Sequence, residues 1–190
     1  MGTIKTTNIE TITGSGTLTL GQSGETITIP SGVTITNNGT QTGFGGTMTP
    51  AFAATQANTG FTANVNSKIA YAVEIFDTDN CYDNSTNYRF TPTTAGKYFV
   101  FANIAIDADS AYSRQQLKLY KNGSQITKVQ LRFVNNEFQN SDTNTSTINY
   151  VVDMNGSSDY LEIYGTIDQN GQTENSLTNG GVFGAYKIIE

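Results

Sequence analysis

The chain has 190 residues, a formal net charge of −6 and only 14% charged residues. It contains no histidine, which excludes Ser-His-Asp triads, histidine-ligated zinc and imidazole general bases. Its ten Lys and Arg residues are scattered rather than clustered, so binding to a nucleic acid backbone is not expected.

The composition favours strands and turns over helices. Thr occurs 30 times, Asn 20 times and Gly 19 times; Thr favours strands, whereas Asn and Gly favour turns. No stretch approaches 18 apolar residues, so no membrane insertion is expected. The first residues are not followed by an apolar region, so we expect no secretory signal peptide. The single cysteine, Cys81, leaves no intrachain disulfide.

The chain changes character near residue 48, which predicts an arm of residues 1–48 and a head of residues 49–190. The arm consists of short runs in which Thr and aliphatic residues alternate, separated by glycines, and this pattern predicts short strands. Its apolar face is too thin to be buried by one chain. Three intertwined chains, stacking on the next domain, or a flexible Gly/Thr-rich linker each remain open. The residues predicted to pack in the arm are Leu18, Leu20, Ile27, Ile29, Val33 and Ile35.

The head reads as an all-β domain with turn signals at regular spacing. Asn122-Gly123 and Asn155-Gly156 carry the strongest short hairpin signal. The number and spacing of the strands predict an antiparallel sandwich or jelly roll. The predicted strands are 51–55, 70–76, 88–91, 96–107, 115–121, 125–133, 145–153, 160–167 and 181–189.

The predicted strand 96–107 is apolar on both faces over its first half. Tyr98 and Val100 alternate with Phe99 and Phe101. One face of a strand in a two-layer sandwich meets the core, so the second apolar face must meet something else. A contact between subunits is the expected answer.

The run from Phe90 to Phe101, with Gly96-x-Tyr98 inside it, resembles the signature of the globular head of complement component one-q, a relative of the tumour-necrosis-factor jelly rolls. Segments 117–126, 155–162 and 181–188 resemble that family's strand-turn-strand hairpin, its late Gly-Asp hairpin and its terminal strand. The resemblance covers roughly residues 50–190. It implies a ten-stranded jelly roll that forms a homotrimer. The predicted interface residues are Tyr98, Phe99, Phe101, Phe183 and Tyr186.

The arm resembles stalks of virion fibre and head-decoration proteins of tailed bacteriophages. This resemblance implies a structural protein of the virion surface: a head fibre, a capsid decoration or a short tail fibre whose arm binds a capsid or tail protein. An alternative is a module that recognises a host-surface glycan or protein, for which the polar loop of residues 135–144 is a candidate. A polysaccharide depolymerase is the least favoured function, because no acid–base pair can be assigned.

Two pairs of carboxylates at strand ends are the candidate metal ligands. Asp77 and Asp79 form one pair, and Asp107 and Asp109 form the other. Carboxylates of this kind could bind Ca²⁺ together with loop carbonyls, although solvated loop carboxylates are the simpler interpretation. We therefore expect no cofactor, with calcium as the one ion considered.

Overall fold

In a computed structural model of the protein, the described residues are 17–39, 48–56, 60–62, 64–107, 112–134, 143–169, 174–177 and 180–188. The chain divides into two compact units, Met1–Thr42 and Gly43–Glu190. The arm lies mainly in the first unit and the head in the second. The predicted boundary at residue 48 adjoins residues 40–47, which lie outside the described part, so it stays a prediction.

The described part of the head contains strands and no helix, which confirms the all-β prediction. The strands are β1 Ala51–Thr55, β2 Gly60–Thr62, β3 Ser67–Lys68, β4 Val73–Asp77, β5 Tyr82–Asp83, β6 Arg89–Phe90, β7 Ala95–Asp107, β8 Tyr112–Lys121, β9 Ser124–Val134, β10 Thr143–Asn155, β11 Leu161–Gln169, β12 Glu174–Leu177 and β13 Val182–Lys187.

The strands form two antiparallel sheets. Sheet A has the order β2-β12-β7-β13-β1-β4, and β10 pairs with the other edge of β7 along its whole length. Sheet B has the order β5-β6-β11-β8-β9, and β3 also pairs with β11. The long strands β7, β8, β10 and β11 therefore set the register of most side chains on both sheets.

The core between the sheets is an aromatic cluster. The ring of Phe52 on β1 lies 4.3 Å from the ring of Tyr82 and 4.6 Å from that of Phe90, both in sheet B. Phe183 on β13 meets Phe52 edge-on at 4.9 Å. All four side chains are at most 6% exposed. Since each sheet supplies two of these rings, the cluster ties the two layers together.

Two Asn-Gly steps make turns of different kinds. Asn122 and Gly123 both have positive φ, 53° and 74°, and join β8 to β9 as a tight hairpin, as the sequence predicts. Asn155-Gly156 does not close a hairpin, because β10 pairs in sheet A and β11 pairs in sheet B. A Cβ on Gly156 would lie 2.2 Å from the backbone nitrogen of Ala95, so this crossing between sheets requires glycine.

The described arm residues, 17–39, contain two β-turns and no strand. The amide of Glu25 donates to the carbonyl of Gln22 at 3.0 Å, and the amide of Val33 donates to that of Pro30 at 3.2 Å. The strands predicted here are not formed within one chain, because each alternating run is only about four residues long and has no neighbouring strand to complete a ladder. The run at residues 11–13 lies outside the described part.

Candidate functional site

The outer surface of sheet A, called here the sheet A face, carries apolar side chains on five strands, beside polar ones such as the exposed Asn149 on β10. One row of cross-strand neighbours consists of Val151, Phe99, Tyr186 and Ala51. Phe99 lies 5.5 Å from Tyr186 and 6.5 Å from Phe101, measured between ring centroids. The adjacent row runs from Phe101 through Gly184 and Ala53 to Phe76.

The two opposite edges of the sheet A face are its most exposed parts. On β4, Phe76 is 47% exposed and Val73 53%, and on β10 Val151 is 44% exposed. Monomeric proteins rarely leave contiguous apolar surface of this kind in water, and such patches mark interaction sites. The sheet A face is therefore the candidate surface for protein contact on the head.

Gly184 shapes the centre of the sheet A face. A Cβ at this position would lie 2.3 Å from the ring of Phe101, closer than any side chain tolerates. The glycine therefore makes room for the Phe101 ring over the backbone of β13.

Three of the five predicted interface residues lie on the sheet A face and two do not. Phe99, Phe101 and Tyr186 are half-buried there. Tyr98 and Phe183 are completely buried within a single chain. The hydroxyl of Tyr98 donates to the carbonyl of Thr94 at 2.7 Å, and burial raises its pKa to about 12. Because Tyr98 and Phe183 face the opposite sheet, they are core residues and offer no surface to a second copy.

The aliphatic side chains predicted to pack in the arm are all exposed in a single chain. Two turns separate them, with Gly24 and Gly32 at positive φ. Their exposed fractions are Leu18 48%, Leu20 59%, Ile27 58%, Ile29 46%, Val33 57% and Ile35 57%. Their spacing follows the Thr-aliphatic alternation, so the arm presents apolar groups that one chain does not cover.

The outer surface of sheet B, called here the sheet B face, is polar and charged. Glu162 is 4% exposed and accepts a hydrogen bond from the ammonium of Lys68 at 2.5 Å. The same ammonium donates to the carbonyl of Asn87 at 3.1 Å. Arg114 and Asp168 form a second ion pair at the far end of the face. These pairs neutralise most of the charge on the central strands.

A third cation on the sheet B face, Lys118, has only neutral hydrogen-bond partners among the described residues. The ammonium of Lys118 donates to Asn66 Oδ1 at 2.7 Å and to Thr166 Oγ1 at 2.9 Å. Burial lowers the pKa of Lys118 and the nearby guanidinium of Arg114 lowers it further, whereas the Asp168 carboxylate raises it. The rings of Tyr120 and Tyr164 lie 4.2 Å apart, measured between their centroids. Tyr164 is directly opposite Lys118 in the ladder.

Sequence reasoning missed this cluster on the sheet B face. Along β8, Lys118 and Tyr120 alternate with Leu117 and Leu119. This alternation indicates that Lys118 and Tyr120 share the outward side of the strand. What the sequence could not supply is the register that places β11 beside β8.

The predicted calcium ligands are brought together only in part. Asp77 accepts the amide of Tyr82 at 2.7 Å and that of Asp79 at 3.3 Å, and Asp79 accepts the hydroxyl of Thr78 at 2.6 Å. The loop's own donors thus occupy both carboxylates. The side chain of Asp107 and all of Asp109 lie outside the described part, as do residues 135–142 of the candidate recognition loop. Within the part of the chain that the structure describes, no three His, Cys, Asp or Glu residues could hold a metal ion.

A search of the described residues for a helix long and apolar enough to cross a membrane finds none.

No protein-family model matches this chain. Among curated proteins, it is 27% identical over 129 residues to the phage-like element PBSX protein XkdV of Bacillus subtilis (strain 168). The match covers 66% of this chain and 18% of that protein. The chain therefore spans about a fifth of the length of the curated relative it matches.

Solved structures with a similar fold come from animals and from a virus. The globular domain of zebrafish complement 1qA protein has a TM-score of 0.53 and 17% identity, over 73% of this chain and 96% of that one. The Eiger tumour necrosis factor of S. frugiperda has a TM-score of 0.50 and 11% identity, over 73% and 91%.

The third similar structure is the PRD1 vertex protein P5, with a TM-score of 0.51 and 13% identity, over 75% of this chain and 99% of that one. These likenesses confirm the predicted fold, although identities this low say nothing about activity. The head of this chain has the jelly-roll fold of the complement one-q and tumour-necrosis-factor domains.

Proposed function

We propose that this chain is a structural protein of a bacteriophage virion surface, in which three copies assemble through the sheet A face. The observation that carries the proposal is the apolar surface left uncovered on one copy, from Val151 across Phe99 to Phe76. A contact between copies would remove this surface from water, at about 25 cal/mol for each Å² of apolar area.

The phage assignment is supported by similarity to the PBSX protein and by the shared fold of the PRD1 vertex protein P5. The homotrimer follows from the resemblance to complement one-q heads. A threefold arrangement gives each head two equivalent neighbours, and three displayed heads add avidity to weak contacts.

In this proposal the arm attaches the trimer to a capsid or tail protein. Its exposed aliphatic side chains, such as Ile27 and Ile35, would be covered either by the arms of the other two copies or by the attachment partner. A head fibre or a capsid decoration is the preferred location, and a short tail fibre is the alternative.

The proposed role includes no catalysis. The sequence contains no histidine, and the carboxylates of the described ion pairs, such as Glu162 and Asp168, are engaged by cations on the sheet B face. A structural role uses these pairs to rigidify the sheet.

Light scattering on the full chain tests the assembly. Three chains of 20.4 kDa give about 61 kDa. The double variant Phe76→Lys/Val151→Lys, which places two charges on the sheet A face, should elute as a single chain. The matched control is Val65→Lys, because Val65 has the same 47% exposure as Phe76 but lies on neither outer face of the long strands; it should remain trimeric.

A wild-type chain that stays at 20.4 kDa would contradict the trimer. A trimer that survives the double variant would place the interface elsewhere. The location is tested separately by immunogold labelling of phage particles with antibodies against the head. Gold on the capsid favours a head fibre or decoration, gold on the tail favours a tail fibre, and unlabelled particles would contradict the virion assignment.

A further inference from the structure

The sheet B face carries a cluster that the proposed assembly does not use. It consists of Tyr120, Tyr164, Lys118, Asn66 and Thr166, on or beside the two central strands β8 and β11. Because these strands are paired on both edges, their backbones are held rigidly. Side chains on such a platform lose little freedom when they bind a ligand.

The two tyrosine rings pack against each other, the ammonium of Lys68 lies 5.8 Å from the centroid of the Tyr164 ring, and hydrogen-bonding groups flank the pair. Their centroids are 4.2 Å apart with an angle of 34° between the ring planes, and both side chains are half-buried. The hydroxyl of Tyr120 accepts a hydrogen bond from the Asn66 amide at 3.0 Å. An apolar ring beside polar groups suits a ligand with the same division, such as a sugar, which has a C–H face and a rim of hydroxyls.

The charge on this cluster selects for an acidic ligand. The hydrogen-bond partners of Lys118 among the described residues are two neutral oxygens, and the Asp168 carboxylate that acts on its charge is paired with Arg114. Its neighbours Lys68 and Arg114 are already paired with Glu162 and Asp168. An incoming carboxylate could form a charge-assisted hydrogen bond with Lys118 without breaking an existing ion pair.

A second protein is a poorer fit to this face. The centre of a protein interface is depleted in charged residues, whereas Lys118 and Glu162 occupy the centre of the sheet B face. We propose that Tyr120, Tyr164 and Lys118 form a binding site for an acidic saccharide, whose ring lies against the tyrosines and whose carboxylate meets the Lys118 ammonium.

This site depends on the proposed function only for its biological setting, as a means by which a displayed head would hold a surface glycan. Binding itself is a property of one head and is measured by titration calorimetry on the full chain. The acidic probes are hexasaccharides of alginate, polygalacturonate and hyaluronate. Cellohexaose is the neutral sugar control, and hexaglutamate carries carboxylates without sugar.

We expect at least one acidic hexasaccharide to bind at least tenfold more tightly than cellohexaose and hexaglutamate. Lys118→Gln and Tyr164→Leu should each weaken binding about tenfold, the loss of one charge-assisted hydrogen bond or of one aromatic contact. Tyr164→Phe keeps the ring and should retain affinity within about twofold. If the leucine variant does not fold, Lys118→Gln alone provides the test by loss of binding.

Two control variants change the same residue types elsewhere on the head. Lys97→Gln removes an exposed lysine that lies on sheet A, and Tyr150→Leu removes a tyrosine that is 37% exposed on β10. Both should bind like the wild type. The site is refuted if no acidic probe binds at millimolar concentration, if cellohexaose or hexaglutamate binds equally well, or if Lys118→Gln and the controls behave alike. Light scattering on the same samples separates these results from a failure of trimer assembly.

Discussion

The sheet A face and the sheet B face are presented by strands of similar length, but matching rows across them differ in chemistry. A row on sheet A reads Val151, Phe99, Tyr186 from strand to strand. A row on sheet B places Lys118 beside Tyr164. One ion pair on sheet A joins Lys97 and Asp153 at 3.6 Å near one end of β7, and its side chains are 54% and 82% exposed.

This difference tells which face an assembly can cover at low cost. Covering the sheet A face removes apolar groups such as Phe99 and Phe76 from water. Covering the sheet B face would desolvate the ammonium of Lys118, whose hydrogen-bond partners among the described residues are neutral, and burying charge is costly unless it is paired. The head therefore has a face suited to contact between copies and a face suited to display.

The largest expected effect compares two phenylalanines, one in the core and one on the sheet A face. Phe52→Ala removes a ring that three other aromatic rings contact, so it should lower the free energy of unfolding by about 3–5 kcal/mol. Phe76→Ala removes a ring that is 47% exposed in one chain, so it should cost less than about 1 kcal/mol in dilute solution. Urea unfolding at several protein concentrations measures both.

The dependence on concentration sharpens this comparison. If other copies cover Phe76, the cost of Phe76→Ala grows as protein concentration rises, because binding stabilises the folded state by mass action. The cost of Phe52→Ala should not change. Equal costs for the two variants in dilute solution would contradict the division between core and face.

The sequence correctly predicted that β7 is apolar on both faces over its first half. It did not predict which of its residues point to the core and which to the outer surface. Alternation separates Tyr98 from Phe99, yet both are aromatic, and nothing local says which one points to the opposite sheet. Phe183 and Tyr186 on β13 present the same difficulty. The predicted interface therefore combined residues whose side chains point to opposite sides of sheet A. The register of β13 with β1 and β7 shows on which side each residue lies.

Long-range pairing also explains the other differences. Asn122-Gly123 makes a hairpin because its own positive φ values fix the turn, whereas Asn155-Gly156 has the same residues but joins strands of different sheets. The candidate saccharide site depends on β11 pairing with β8, whose facing residues Tyr164 and Lys118 are far apart in the chain. Such pairing leaves no local signal in the sequence.

A smaller effect is expected from the same change made on both faces. Glu162→Gln leaves the Lys68 ammonium without its carboxylate in a partly buried site, and should cost about 1–2 kcal/mol. Asp153→Asn removes an exposed partner of Lys97 and should cost less than about 0.5 kcal/mol. Thermal unfolding at neutral pH measures the two variants side by side. A larger loss of stability for Asp153→Asn would contradict the expectation that the ion pair on sheet B stabilises the fold more than the ion pair on sheet A.

The smallest effect concerns Asp159, which joins the ends of the two sheets. Its carboxylate accepts hydrogen bonds from the Asn122 side chain at 2.8 Å and from the amide of Asn155 at 2.9 Å, and it pairs with Lys121 at 2.8 Å. Asn155 belongs to sheet A, whereas Lys121 and Asn122 lie at the end of β8 in sheet B. The hydrogen bond from Asn122, followed by that from Lys121, holds the pKa of Asp159 below its usual range.

A carboxyl group whose pKa is lower in the folded state stabilises the fold above the unfolded pKa, near 4 for aspartate, and loses that contribution as pH falls through the folded pKa. Asp159→Asn should therefore lower stability by about 1 kcal/mol at pH 7, the scale of one charge-assisted hydrogen bond, and by less at pH 3. Urea unfolding from pH 7 to pH 3 measures the difference, with Asp153→Asn as the exposed control. A constant difference across this range would show that Asp159 acts through its shape and not its charge, because only the ionised carboxylate gives the junction between the sheets a pH dependence.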